Sequence, residues 1–174
     1  MRTVTAVVGA LLVAASASAQ TSTNAVAVAL AAEAKSNETN MVGAAEAMPA
    51  EKYGYKPTPQ QNSFGDLIYH AALANNLLCG IMSGEKAPDL ATKADGPKQG
   101  LIDQMKASFA FCSQAFDKVN ASRLGEQVHF MNRDVSLAWV VVHTSLDWGD
   151  HYSQAAMMLR LNGITPPSAQ RRTR

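Results

Sequence analysis

Four stretches of the chain repeat apolar residues at the three- and four-residue spacing of an amphipathic helix. The first predicted helix covers residues 24–48 and ends before a proline, and the second runs from the Ser63 region to about Met82. The third covers 98–119, and the fourth begins near Arg133-Asp134 and continues to Asn162. Four amphipathic helices with short connections predict an all-α four-helix bundle.

The segments between these helices carry residues that start and stop helices. Ser63 and Asp66 form a capping-box pattern at the start of the second helix, and Gly163 can end the fourth in a left-handed conformation. The Tyr- and Pro-containing stretch 49–61 predicts an extended loop across the bundle. The stretch 83–96 predicts a crossover between helices, and 120–126 predicts a turn.

The N-terminal residues have the order of a secretory signal. Arg2 precedes an apolar run from Val4 to Ala14, and Ala17-Ser18-Ala19 offers a cleavage site. We therefore predict a signal peptide over 1–19 and a mature domain over 20–174 that is periplasmic or secreted. The alternative is an uncleaved anchor, although the apolar run is short for a transmembrane helix.

The charge of the mature chain excludes two classes of partner. The full sequence has 15 basic and 14 acidic side chains, and removal of Arg2 with the signal leaves a balanced chain. This gives no electrostatic basis for binding nucleic acid or, after signal removal, an anionic membrane. The basic tail 171–174 is interpreted as a solvated end. We predict a small-molecule ligand as partner and consider a homodimer as one oligomeric state.

The two cysteines lie on different predicted helices. Cys79 is on the second helix and Cys112 on the third, each on or beside the apolar stripe. An exported chain meets an oxidising compartment, so we predict a disulfide between them. Two buried free thiols are the alternative.

Candidate metal ligands follow one another along the fourth helix. His143, Asp147 and His151 are spaced by four residues, so they lie near one face over two turns. His70 falls on the predicted inward stripe of the second helix. Imidazole and carboxylate groups bind Zn²⁺, Fe²⁺ or Mn²⁺ in mixed sites. His129 lies in or near a predicted turn and is interpreted as solvated.

Three motifs together resemble the DinB-like superfamily of metal-dependent proteins. They are Met48-Pro49-Ala50-Glu51-Lys52-Tyr53-Gly54-Tyr55-Lys56-Pro57-Thr58-Pro59, then Ser63-Phe64-Gly65-Asp66-Leu67 with His70, and finally Asp150-His151-Tyr152-Ser153-Gln154 with the residues 159–167. The resemblance implies an up-down-down-up bundle and a divalent metal held by three histidines. Two of these fall on His70 and His151. The third falls on Asp147, which departs from the family's usual histidine.

The resemblance leaves two functions open. One is a metal-dependent hydrolase or thiol transferase in which His70, Asp147 and His151 hold Zn, Ni, Fe or Mn. His143 is the alternative ligand, and Tyr152, Asp150 or His143 are candidate proton-transfer groups. The other is a non-catalytic exported bundle that binds a metal or small ligand. Export argues against thiol transfer, because low-molecular-weight thiols are mainly cytoplasmic.

Overall fold

The computed structural model describes residues 24–170, so the predicted signal peptide over 1–19 lies outside the described residues. The α-helices are α1 (Ala25–Ala47), α2 (Phe64–Ser83), α3 (Lys98–Phe116), α4 (Leu137–Leu161) and α5 (Pro167–Gln170); the strands are β1 (Gln127–Phe130) and β2 (Arg133–Ser136). A short 3₁₀ turn covers Ala50–Lys52. Within 24–170, no helix is both long enough and apolar enough to cross a membrane.

Capping side chains start the first two helices. The Asn24 side chain accepts from the Ala27 N–H at the start of α1. At α2 the predicted capping box is confirmed: Ser63 Oγ accepts from the Asp66 N–H, and the Asp66 carboxylate accepts from the Ser63 N–H. Gly84, at φ 74°, ends α2 in the left-handed region where glycine carries no steric cost.

Contacts between the helices give the up-down-down-up arrangement of the predicted four-helix bundle. Asn75 contacts Ser108 and Cys79 contacts Cys112, so α2 and α3 run parallel. Lys106 of α3 pairs with Glu46 near the end of α1, whereas Asn24 at its start reaches Val119, so these two helices are antiparallel. Two contacts set α4 antiparallel to α2: Trp148 with Asn75, and His151 with His70.

The bundle encloses one apolar core. Its largest fully buried side chains come from all four long helices and the loops beside them: Phe64, Phe116, Met41, Met48, Ile68, Met82, Leu101, Met105, Leu137, Leu159, Val119 and Val140. Tyr53 anchors the loop after α1, since its hydroxyl donates to the Ala45 carbonyl at 2.7 Å. Burial, with the Glu46 charge as a smaller cause, raises the pKa of Tyr53.

The disulfide prediction is confirmed. Cys79 and Cys112 are joined, with Cα atoms 5.1 Å apart and both residues fully buried. A polar group lies one turn before each cysteine: the Asn75 amide donates to Ser108 Oγ at 3.0 Å. The bond and this hydrogen bond together hold α2 against α3.

An antiparallel hairpin precedes α4, where the sequence interpretation was wrong. Strands β1 and β2 pair Gln127 with Ser136 and Phe130 with Arg133, so α4 begins at Leu137 rather than near Arg133-Asp134. Phe130 is buried and its ring contacts Trp139, which gives the hairpin an apolar anchor. This tertiary contact stabilises two strands too short to be stable alone.

Smaller differences concern helix ends. The third helix ends at Phe116 rather than Val119, and the chain forms the short α5 after Pro166. Gly163 has the predicted left-handed φ of 74°, and the Ile164 N–H donates to the Leu159 carbonyl. The predicted end of the fourth helix is therefore confirmed.

Candidate metal centre

Two predicted ligands lie together on α4. His151 Nδ1 and Asp147 Oδ2 are 3.1 Å apart, one helical turn from each other. The side chain of His151 is 6% exposed and that of Asp147 is 20% exposed. A nitrogen and a carboxylate oxygen therefore meet at the edge of the core, and these two atoms are themselves buried.

These two atoms lack hydrogen-bond partners despite their burial. Their mutual orientation does not meet the geometry of a hydrogen bond, and no other described group bonds to either atom. Buried polar atoms of this kind carry a free-energy cost unless something binds them. Two donors at the usual bond lengths to one cation stand about 2.8 to 3.6 Å apart. Their separation of 3.1 Å fits that requirement.

His70 lies beside this pair but not where the sequence placed it. It is exposed at the edge of α2, so the prediction that it points inward is wrong. Its ring centroid is still 5.1 Å from that of His151, in an edge-to-face contact. Within 24–170, no three His, Cys, Asp or Glu side chains are grouped closely enough to hold a metal as they stand. Two donors are in place, and His70 adjoins them.

His143, the alternative ligand, is engaged elsewhere. Its ring stacks on Trp139 with centroids 4.4 Å apart and an interplanar angle of 17°, and it meets the edge of Phe130. The structure thus groups His143 with the hairpin rather than with the donor pair.

His129, predicted in or near a turn, lies instead in β1. There it is exposed, and its Nδ1 is 3.0 Å from Asp134 Oδ1.

The rotation of α4 is set by a buried hydrogen bond that sequence reasoning missed. Trp148, adjacent to Asp147, donates its indole N–H to Asn75 Oδ1 at 2.7 Å. Asn75 is 1% exposed, so this bond forms inside the core and fixes α4 relative to α2. A signal was present, since two consecutive asparagines interrupt the apolar stripe of the second helix at 75 and 76.

The candidate proton-transfer groups near His151 bond to other residues. The Asp150 carboxylate accepts from Gln154 Nε2 at 2.8 Å. The Tyr152 hydroxyl contacts Ser168 Oγ at 2.7 Å and accepts from the Ser168 N–H at 2.9 Å. Both side chains thus stabilise α4 or its contact with α5.

A fixed negative charge stands one turn before His70. Hydrogen bonds from the Ser63 hydroxyl and then the Ser63 backbone N–H hold the pKa of Asp66 below its usual value. Asp66 remains ionised at neutral pH, and its carboxylate is held by the capping box. It therefore adds to the negative potential that a cation meets near His70.

Comparisons with known proteins agree with this architecture. A family model of the DinB superfamily matches residues 33–155, well over half of the chain. A DinB-like protein from Bacillus subtilis superposes with a TM-score of 0.65 at 17% identity, covering 79% of this chain and 93% of that one. A DinB-like protein from Bacillus cereus gives 0.65 at 13% identity with the same coverage.

A conserved protein from Enterococcus faecalis gives a TM-score of 0.62 at 18% identity, covering 77% of this chain and 95% of that one. These identities establish a common fold and no more. Among curated proteins, none matches the sequence.

Proposed function

The chain belongs to the DinB superfamily, and from this premise we propose that it is an exported protein that binds a divalent cation through His151, Asp147 and His70. The observation that carries the proposal is the buried donor pair without hydrogen-bond partners, 3.1 Å apart. A cation between these atoms would satisfy both at once. Without one, only their mutual ion pair at 3.1 Å, which needs a protonated imidazole, offsets the cost of their burial.

The donor set restricts the metal. Imidazole nitrogen with carboxylate oxygen suits Zn²⁺, Ni²⁺, Fe²⁺ or Mn²⁺, whereas Ca²⁺ and Mg²⁺ prefer oxygen donors alone. Asp147 stands where the family resemblance implies a histidine, so the site carries one more negative charge than a three-histidine site. That charge makes the bound cation a weaker Lewis acid and increases the affinity of the site for it.

The chain's own residues have binding and orienting roles here. His151 and Asp147 would hold the cation, His70 would complete the set from α2, and the Trp148–Asn75 hydrogen bond would keep α4 in register. When bound, a divalent cation polarises an oxygen or thiol that it contacts, which is the chemistry of a hydrolase or thiol transferase.

One observation favours the non-catalytic alternative, a bundle that binds a metal or ligand without turnover. Asp150 and Tyr152 are hydrogen-bonded to other residues, and His143 is stacked against the hairpin. General acid–base catalysis needs a group within hydrogen-bond reach of the reacting proton. Cation binding is therefore the function that we propose first. Catalysis at the same site is the second candidate function.

The test starts with metal analysis of the mature protein from its native host. Mass spectrometry of the same sample should place the N-terminus close to Gln20, and retention of 1–19 would contradict export. We expect the metal-free protein to melt higher when Zn²⁺, Ni²⁺ or Mn²⁺ is added. At a free concentration 100-fold above Kd the gain is about 2.7 kcal/mol, or roughly 5 to 11 °C for a domain of this size.

Variants identify the ligands. His151→Ala and His70→Ala should abolish the gain in melting temperature, and Asp147→His should keep or strengthen it. His129→Ala is the matched control, because that histidine is exposed on the hairpin. His143→Ala separates the alternative ligand from the three proposed. If neither His151→Ala nor His70→Ala alters metal content, the proposed site is wrong.

A further inference from the structure

A groove of about 440 Å³ lies on the surface between the N-terminal halves of α1 and α4. The two helices run parallel, because α1 is antiparallel to α3, α4 is antiparallel to α2, and α2 and α3 are parallel. Among the described residues that line the groove, only Glu33 is charged. Its walls include Ala25, Ala29 and Glu33 of α1 and Val142, Ser145 and Leu146 of α4.

The α4 wall exposes large apolar side chains to solvent. Val142 is 59% exposed and Leu146 is 66% exposed. The α1 wall carries the small side chains of Ala25 and Ala29, and both are exposed. The surface therefore combines two protruding apolar side chains with a shallow apolar strip beside them, a combination typical of a surface that another protein covers.

This groove is separate from the candidate metal centre. Asp147 follows Ser145 by two residues, so their side chains point about 200° apart around α4. Ser145 lines the groove, whereas Asp147 contacts His151 beside α2. The donor pair thus lies on the opposite side of α4, and an inference about the groove does not rest on cation binding.

The two ends of the α1 wall are electrostatically complementary. Glu33 is exposed, and its carboxylate has no ionic partner among residues 24–170. The first turn of α1, which begins at Ala25, contains no acidic residue, so the positive end of the helix dipole has no side-chain charge to offset it. These two ends lie four residues on either side of Ala29. A second copy turned end to end about Ala29 would place each Glu33 carboxylate beside the start of the other copy's α1.

We propose that this groove is the contact surface of a homodimer in which α1 and α4 of two copies pack antiparallel about a two-fold axis near Ala29. A two-fold contact uses the same surface on both copies. Ala29 meets its own counterpart, where small side chains let two helices approach closely, and Leu146 of each copy enters the groove beside Val142 of the other. A parallel arrangement would bring like helix ends together and leave Glu33 unpaired. An apolar small molecule in the groove would also leave Glu33 unpaired.

The experiment is sedimentation velocity of the mature protein over a range of concentrations, in which we expect a reversible dimer with twice the mass of one chain. Leu146→Glu should leave a monomer, because a dimer would bury two unpaired carboxylates. Leu161→Glu is the matched control, since Leu161 is 57% exposed on the same helix and lies outside the groove. Circular dichroism should show that both variants fold, because both side chains are exposed in the single chain. Glu33→Gln should weaken the dimer about three- to thirtyfold, since each dimer contains two contacts with a helix end.

Cross-linking tests the antiparallel orientation. Ala29→Cys places a thiol next to the two-fold axis, so air oxidation should give a disulfide-linked dimer. Ala31→Cys is the matched control, because Ala31 is also exposed on α1 but points about 200° away from Ala29. It should stay uncross-linked under the same conditions.

The proposal is overturned by a wild type that stays monomeric, by a dimer that survives Leu146→Glu, or by equal cross-linking of the Ala29→Cys and Ala31→Cys variants. A monomer that retains residues 1–19 would mean that the apolar run of the leader occupies the groove instead. A monomer that carries a bound apolar small molecule would likewise overturn it. His151→Ala should remain dimeric, so failure of the cation site and failure of the dimer are distinguishable.

Discussion

Breaking the Cys79–Cys112 bond is the perturbation whose effect follows most directly from the structure. The bond joins two parallel helices across a separation of 33 residues, and both cysteines are fully buried. In the chain-entropy description, a closed loop of this length restricts the unfolded ensemble and stabilises the fold by about 3.7 kcal/mol at 25 °C. That is a large part of the 5 to 15 kcal/mol typical of a domain.

The assay is equilibrium urea unfolding of the wild type with and without a thiol reductant, followed by circular dichroism. Because the bond is buried, the reduced sample is prepared in denaturant and then refolded. With a urea dependence of about 2 kcal/mol per molar, the expected loss moves the midpoint down by roughly 2 M. The double variant Cys79→Ala/Cys112→Ala is the control, because its midpoint should not respond to reductant.

The double variant also separates cross-linking from packing. It loses the sulfur atoms from a closed core, so it should unfold at or below the midpoint of the reduced wild type. The reasoning fails if reduction moves the wild-type midpoint by less than about 0.5 M, a loss of about 1 kcal/mol. Such a result would mean that the packing of α2 against α3 already restricts the chain as much as the bond does.

Two further predictions concern single side chains. Trp148→Phe keeps an aromatic ring but removes the indole N–H, so Asn75 Oδ1 is left unpartnered in the core. We expect the free energy of unfolding, measured with urea, to fall by about 1 to 3 kcal/mol. Trp139→Phe is the control and should lower it by less. Asp66→Asn removes the carboxylate of the capping box. Because the pKa of Asp66 is lowered in the fold, its contribution is present above the unfolded value of 3.8 and is lost as pH falls through the lower folded pKa. The variant should therefore be less stable than wild type at pH 7, by about 1 kcal/mol or less for this partly exposed cap. The difference should shrink below pH 3.8, and a constant difference would contradict this account.

The site could be predicted only in part. The spacing of Asp147 and His151 places both on one side of any helix, and the structure brings their donor atoms together. His70 was placed beside them by family resemblance, yet its exposure at the edge of α2 follows from how that helix rotates in the bundle. The spacing of His143 made it the alternative ligand, but its ring stacks on Trp139 beside a hairpin that the pattern of the fourth helix concealed.

The sequence by itself determined the four long helices, the capping box of α2, the glycine end of α4 and the pairing partners of the disulfide, because periodicity, capping side chains and an even cysteine count are local or compositional signals. Tertiary structure decided what depends on distant contacts. Phe130 docks on Trp139 and turns 127–136 into a hairpin, and Asn75 accepts from Trp148 and fixes the rotation of α4. Short strands and buried hydrogen bonds are stable only when packing excludes water from them. A local pattern, such as the asparagines at 75 and 76, can mark a polar position in the core but does not identify its partner.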